Sequence, residues 1–109
     1  MTWNLWLDDN SFDIESPNRH APKGFTAAIS SDQAFRLIKN NGLPDYISFD
    51  HDLGGDDTAM KLLRRIEEEI FDGDIPKPPM YDIHSANPVG SENIRSFMES
   101  WFKAWEMDR

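Results

Sequence analysis

The sequence predicts an α/β domain built on a mostly parallel sheet. Short apolar runs alternate with segments whose apolar residues recur every three or four positions, which are the patterns of buried strands and of the helices that pack on them. Strands that alternate with helices are joined by right-handed crossovers, so that successive strands run parallel. At 109 residues, the chain is expected to form one domain spanning 1–109.

Four strands are predicted, each of them short and rich in apolar or aromatic residues. Aspartates follow the first, and a Leu-Pro-Asp turn precedes the third. A long loop over 10–24, with two prolines and a glycine, separates the first strand from the second. The predicted strands span 3–7, 25–29, 46–49 and 80–84.

Three helices are predicted from capping residues and apolar periodicity. Ser30 or Ser31 can cap the first, and Gly42 ends it. The last helix carries an unbroken apolar stripe that we expect to pack on the sheet. An unpaired fourth strand beside it is an edge at which a weak homodimer could form, so we expect a monomer or a weak homodimer. The predicted helices span 30–42, about 57–71, and a final segment capped by Ser91.

Charge and composition disfavour several classes of protein. The chain has 20 acidic and 11 basic residues and a net charge of −9, whereas proteins that bind bulk duplex nucleic acid need a basic face. It has no cysteine, which excludes disulfides and thiolate metal sites. No apolar run approaches the roughly 18 residues that span a bilayer, and the N-terminus does not resemble a signal peptide. We therefore expect a cytoplasmic protein that does not bind membranes.

Polar side chains follow three of the four predicted strands. In a parallel sheet the carboxyl ends of the strands share one edge, where ligands bind. Carboxylates that lie close together repel one another unless a cation sits between them. Mg²⁺ and Mn²⁺ accept such oxygen ligands and leave positions open for phosphate oxygens. We expect Mg²⁺ or Mn²⁺ to be bound here by Asp8, Asp9, Asp50 and Asp52.

Neighbouring residues have simpler interpretations. Aspartates beside strands also form turns and cap helices, and Asp56 and Asp57 suit the start of the second helix. Gly54 and Gly55 are interpreted as the tight turn before that helix, and Leu53 as an anchor in the core.

Three motifs carry a resemblance to a known family. They are LDD at 7–9, SFDHDLGGDDT at 48–58 and IHSANPVG at 83–90. Together they resemble the cyclic-phosphate processing receiver domains, a divergent offshoot of the response-regulator receiver fold. The resemblance implies a receiver-like (flavodoxin-like), three-layer parallel sheet with strand order 2-1-3-4. It also implies binding or processing of a cyclic phosphate, either on a cyclic nucleotide or at an RNA end.

The chain also departs from an ordinary signalling receiver. The loop over 10–24 takes the place of the helix between the first two strands, and no fifth strand is predicted. An ordinary receiver carries a lysine at the end of that fifth strand, which contacts the phosphoryl group. Asp50 is therefore disfavoured as a phosphorelay acceptor, although it stands at the matching place. His51 and His84 are additions that match the divergent family instead.

The predicted function is metal-dependent binding and hydrolysis of a small cyclic phosphate. In this hypothesis His51 and His84 act as general base and acid beside Asp50 at the metal. Four further residues are expected to bind the phosphate: Ser85 and Asn87 after the fourth strand, and Arg19 and Lys23 from the long loop.

Two alternatives remain open at this stage. The same site could bind a phosphate or nucleotide and release it unchanged, as a binding or regulatory receiver-like module. An acidic interaction or inhibitor protein would also fit the net charge of −9, but its carboxylates should be spread over the surface and not gathered at strand ends. A haloacid-dehalogenase-type phosphatase is rejected, because the later strand ends offer no convincing lysine and acid pair.

Overall fold

The computed structural model describes residues 2–107 and confirms the predicted α/β fold. All of the predicted strands and helices are present, with ends that differ by a few residues. The strands are β1 (Asn4–Leu7), β2 (Thr26–Ala28), β3 (Tyr46–Phe49) and β4 (Met80–Ile83). The helices are α1 (Ser31–Asn41), α2 (Ala59–Glu69) and α3 (Pro88–Met107), with a single 3-10 turn at Pro17–Arg19.

The four strands form one parallel sheet in the order β2-β1-β3-β4, as the resemblance implied. Leu5 and Leu7 of β1 face the helices together with their register partners Ile47 and Phe49 of β3, and all four are fully buried. Buried side chains from α1, α2 and α3 join the same apolar core. The three helices therefore cover one face of the sheet.

The β1–β2 loop (residues 8–25) packs against the opposite face of the sheet. Trp6 points to that face, and its indole Nε1 donates a hydrogen bond to the backbone oxygen of Arg19 at 2.9 Å. Its ring also meets the edge of Phe25, with the ring centroids 6.3 Å apart. The layer on this face is thus the β1–β2 loop, which takes the place of the helix between the first two strands, as the sequence predicted.

Helix α1 follows its sequence signals closely. The Ser30 side chain accepts a hydrogen bond from the backbone N–H of Gln33, and Gly42 ends the helix at a φ of 83°. Phe35 and Ile38 are among its buried side chains, and each contributes roughly 1.5–3 kcal/mol by leaving water.

Helix α2 begins two residues later than predicted, after Thr58. Asp57 does not cap it. The Asp57 carboxylate accepts hydrogen bonds from the backbone N–H and the hydroxyl of Ser31, so it joins the start of α1 to the turn before α2. Leu62 is fully buried on α2, whereas Met60 is only half-buried.

Helix α3 begins earlier than predicted, and the expected cap at Ser91 is wrong. The helix starts at Pro88, a residue that suits the first helical position because its missing N–H would have no partner there. The Asn87 Oδ1 accepts a hydrogen bond from the backbone N–H of Gly90 at 3.0 Å. Asn87 is therefore the cap, and Ser91 lies within the first turn.

Replacing the cap of α3 should lower the stability of the protein. Asn87→Ala is expected to lower the free energy of unfolding by about 1 kcal/mol, because the Gly90 N–H loses its acceptor. Ser91→Ala should change it by less than about 0.5 kcal/mol. Urea denaturation followed by circular dichroism measures both, and Asn87→Ser should restore most of the loss, since serine is an equally good cap. A larger loss in Ser91→Ala than in Asn87→Ala would contradict this assignment.

Candidate functional site

Three aspartates meet at the carboxyl edge of the sheet. Asp8 and Asp9 follow β1, and Asp50 follows β3. One oxygen from each carboxylate lies within 4.8 Å of the other two. Asp8 is fully buried, Asp50 is 4% exposed and Asp9 is half-buried. This acidic cluster (Asp8, Asp9 and Asp50) lies where the strand ends converge.

Arg19 binds two members of the acidic cluster. Its Nε lies 2.6 Å from Asp8 Oδ2, and its Nη2 lies 2.6 Å from Asp50 Oδ2. The hydrogen bond to Asp8, aided by the nearby carboxylates, raises the pKa of Arg19. Hydrogen bonds between two charged groups are the stronger kind. The β1–β2 loop thus supplies a cation to the two buried carboxylates.

The pKa of Asp50 is nevertheless raised. Burial is the largest cause and the charge of Asp8 adds to it, while the positive charge of Arg19 opposes them. Burial and the neighbouring carboxylate therefore disfavour the ionised form of Asp50. A further cation between the carboxylates would relieve this repulsion.

His84 is held on three sides. Its ring stacks on Trp6 with the centroids 4.0 Å apart and the planes at 4°. Its Nε2 lies 3.0 Å from Asp8 Oδ2, and its Nδ1 lies 2.9 Å from Ser48 Oγ. Trp6 also fixes the backbone of Arg19, so one indole ring positions both Arg19 and His84 beside Asp8.

Both ring nitrogens of His84 face oxygen atoms. The Ser48 hydroxyl, which donates to Asp82, lies at Nδ1. The Asp8 carboxylate, which accepts from Arg19, lies at Nε2. Both nitrogens of the ring are therefore engaged by residues of the site.

His51 lies beside the start of α3 and away from Asp8. Its Nδ1 is 3.1 Å from Asp52 Oδ1, and its ring packs against Gly90. A methyl group at position 90 would fall 2.3 Å from the His51 Cγ, so this turn of α3 needs glycine. The Nε2 of His51 has no hydrogen-bond partner within residues 2–107.

Asp52 is set apart from the acidic cluster. Its carboxylate accepts from the Asn87 Nδ2 at 3.1 Å, and this hydrogen bond, followed by that of His51, lowers the pKa of Asp52. The grouping of carboxylates found in the described chain does not include it. Asp52 therefore joins the β3–α2 turn to the start of α3 through its hydrogen bond with Asn87.

A cleft of about 700 Å³ opens above the acidic cluster. It is lined by most of the predicted site residues, among them Asp9, Arg19, Asp50, Asp52, Ser85 and Asn87. Lys23 is exposed in the turn before β2 and does not line the cleft; nor do the two predicted catalytic histidines. A separate groove of about 660 Å³ lies between α2 and α3 on Phe71, Phe97 and Trp101, without an acidic cluster.

Sequence reasoning missed four residues that shape the site. Trp6, Ser48 and Asp82 lie in register on the loop-covered face, and Gly90 makes room for His51. The signal for the first three was their alternation with buried apolar neighbours, which assigns them to the other face of the sheet. The clearest signal was Ser48, a polar residue inside the apolar run of β3, which indicates that its side chain faces away from the core.

The fold and the site together define a receiver-like α/β domain with an acidic cluster at the carboxyl edge of its sheet. The family model described as the cyclic-phosphate processing receiver domain matches residues 3–100. The chain belongs to this family.

Other comparisons concern the fold alone. A solved fusion that carries the yeast Spc42 trimeric coiled coil, amino acids 181–211, is 18% identical to this chain, with a TM-score of 0.55. The match covers 97% of this chain and 82% of the other. No curated protein matches the chain. Within residues 2–107, none of the helices is long and apolar enough to cross a membrane.

The pKa directions predict opposite effects of two Asp→Asn changes. Because the folded-state pKa of Asp50 is raised, its contribution to stability is present below the unfolded pKa and is lost as pH rises through the folded value. Asp50→Asn should therefore raise the free energy of unfolding at pH 7, because the amide removes a charge that burial and Asp8 disfavour. The difference from wild type should shrink on acidification.

Asp52→Asn is the matched control. The pKa of Asp52 is lowered, so its contribution is present above the unfolded pKa and is lost as pH falls through the folded value. This variant should be slightly less stable than wild type at pH 7, and the effect should be small because Asp52 is exposed. Urea titrations in EDTA at several pH values between 3 and 7 measure both. A destabilised Asp50→Asn protein at pH 7 would contradict the prediction.

Proposed function

We propose that this protein binds a divalent cation at the acidic cluster and uses it to bind and hydrolyse a cyclic phosphate in the cleft. The observation that carries the proposal is the set of three carboxylate oxygens within 4.8 Å of one another, from Asp8, Asp9 and Asp50. Two of these residues, Asp9 and Asp50, line the cleft. Membership of the cyclic-phosphate processing receiver family supports the choice of ligand.

The acidic cluster suits Mg²⁺ or Mn²⁺. Its donors are all carboxylate oxygens, which hard divalent cations prefer. Adjacent ligand oxygens around one Mg²⁺ are about 3 Å apart, so the three carboxylates would have to move closer together to hold the ion. Water and ligand oxygens would complete the coordination. When bound, the cation would polarise the phosphate and lower the pKa of a bound water.

The charge of the cleft explains why an anionic ligand needs the cation. Three carboxylates line it, from Asp9, Asp50 and Asp52, against the single guanidinium of Arg19. A phosphate entering the cleft without a metal would meet a net negative potential. A divalent cation reverses the local sign.

Two residues at the start of α3 are placed to contact the phosphate. The Ser85 Oγ accepts from the backbone N–H of Asn87 at 3.1 Å, which leaves its hydroxyl hydrogen to donate to a phosphate oxygen. The Asn87 amide uses one of its two hydrogens on Asp52, and the other is available to the ligand. Both side chains line the cleft.

The two histidines receive different roles. His51 is proposed as the general acid or base, because its Nε2 lacks a hydrogen-bond partner in the described chain. Since its ring does not line the cleft, it would act on the ligand through a water molecule. His84 is proposed as a positioning residue, since both of its nitrogens are bound and its contact with the cluster is through Asp8.

Incubation with cyclic phosphates tests the proposed activity directly. Wild-type protein with Mg²⁺ or Mn²⁺ should convert a 2′,3′-cyclic, 3′,5′-cyclic or cyclic oligonucleotide phosphate to an acyclic product, detected by chromatography. EDTA or Asp50→Asn should abolish the conversion. Ligand binding without any product would favour the non-catalytic module. Absence of both cation and ligand binding would contradict the proposal and favour an acidic interaction protein.

Separate glutamine variants distinguish the histidine roles. His51→Gln should lower kcat about 10²-fold or more through loss of proton transfer, with cation affinity unchanged. His84→Gln should weaken cation binding and lower thermal stability, because the imidazole that stacks on Trp6 and contacts Asp8 is lost. His20→Gln is the control, since the hydrogen bond of the His20 ring within residues 2–107 is to the backbone oxygen of Asp13 and not to the acidic cluster. Full turnover in His51→Gln would remove that residue from the chemistry.

A further inference from the structure

Arg19 occupies the position of a shared counter-ion in the acidic cluster. Its guanidinium bridges Asp8 Oδ2 and Asp50 Oδ2, with both distances at 2.6 Å. These two residues, with Asp9, are also the ones whose oxygens converge for a divalent cation. The buried carboxylates that bind the Arg19 guanidinium are therefore the same ones that are available to a divalent cation.

The remaining bonds of Asp8 limit how both cations could be held together. Its Oδ1 accepts from the backbone N–H of Asn10 at 2.8 Å, and its Oδ2 accepts from Arg19 and lies 3.0 Å from His84. A divalent ion about 2.1 Å from such an oxygen would lie within a few ångströms of the guanidinium. Two like charges at that separation repel strongly in a partly buried site.

Arg19 can leave the cluster without unfolding the loop. Its side chain is 33% exposed and already lines the cleft. Its backbone oxygen is fixed separately by the Trp6 indole. Rotation of the side chain alone would carry the guanidinium from the carboxylates toward the open cleft.

We propose that Arg19 and a divalent cation are alternative partners of Asp8 and Asp50, so that cation binding releases the Arg19 guanidinium into the cleft. The proposal rests on the cation site of the proposed function. In the metal-free protein, Arg19 compensates two buried carboxylates that would otherwise lack this charge. Once released, its planar group can donate two hydrogen bonds to a phosphate. Occupation of the cation site by a divalent ion would thus increase the affinity of the cleft for an anionic ligand through Arg19.

The wild-type protein can be tested by NMR during a Mg²⁺ titration. The Nε–H signal of Arg19, assigned by its absence in Arg19→Lys, should be protected from solvent exchange in EDTA. Mg²⁺ should move this signal toward that of free arginine and remove the protection. Mg²⁺ binding, seen as shifts of the Asp8 and Asp50 amides, with an unchanged Arg19 signal would overturn the proposal.

Calorimetric titration with Mg²⁺ and Mn²⁺ provides the second readout. Arg19→Gln should bind the cation about tenfold more tightly or better, because a like charge is removed a few ångströms away. The cation affinity of Arg19→Lys should lie between those of Arg19→Gln and wild type, because one ammonium group cannot bridge two carboxylates as the guanidinium does. Arg36→Gln, which alters an exposed pair with Asp32 on α1, is the matched control and should bind as wild type does.

The outcomes separate this inference from the proposed function. Equal or weaker cation binding in Arg19→Gln, with clear binding in wild type, would overturn the exchange and leave the proposed cation site intact. Failure of both proteins to bind either cation would overturn the two together. Should Arg19→Gln prove unfolded in EDTA, the NMR titration of the wild type decides.

Discussion

The buried charge of Asp8 is the constraint on which the rest of the structure depends. Its side chain has no exposure to solvent, and it is surrounded by the donors of Asn10, Arg19 and His84. A buried carboxylate is costly unless such partners compensate it. Each partner comes from a different part of the chain: the turn after β1, the β1–β2 loop and the end of β4. One ionised group therefore fixes three segments against the carboxyl edge of the sheet.

The β1–β2 loop covers its face of the sheet through this same arrangement. A helix at this position would bury an apolar stripe, but the loop offers little of that kind, and both Phe12 and Ile14 are exposed. Trp6 instead stacks on His84, and its indole N–H donates a hydrogen bond that holds the loop at the backbone oxygen of Arg19. Polar and aromatic contacts at the site thus replace a second helical layer, so that the integrity of this face and the geometry of the acidic cluster are linked.

The sequence was informative where geometry follows from simple periodicity. Strand ends in a parallel sheet must converge, so the meeting of Asp8, Asp9 and Asp50 could be predicted from the pattern alone. The bridge made by Arg19 could not, because the path of an irregular loop has no period in the sequence. The cap of α3 was predicted wrongly at Ser91 for a related reason. The apolar stripe begins at Ile94, but the helix starts one turn earlier, at Pro88. This added turn packs Gly90 against His51.

Within the proposed function, the charge of the site would distinguish a cyclic phosphate from its hydrolysis product. The acidic cluster contributes three carboxylates, against the guanidinium of Arg19. A divalent cation would offset most of the remaining negative charge. A cyclic phosphodiester carries a single negative charge, whereas the phosphomonoester formed by opening its ring carries nearly two at neutral pH. Because Asp52 adds a further negative charge at the rim of the cleft, the product would meet more repulsion than the substrate. The electrostatics of the cleft would therefore assist the release of the product of the proposed hydrolysis.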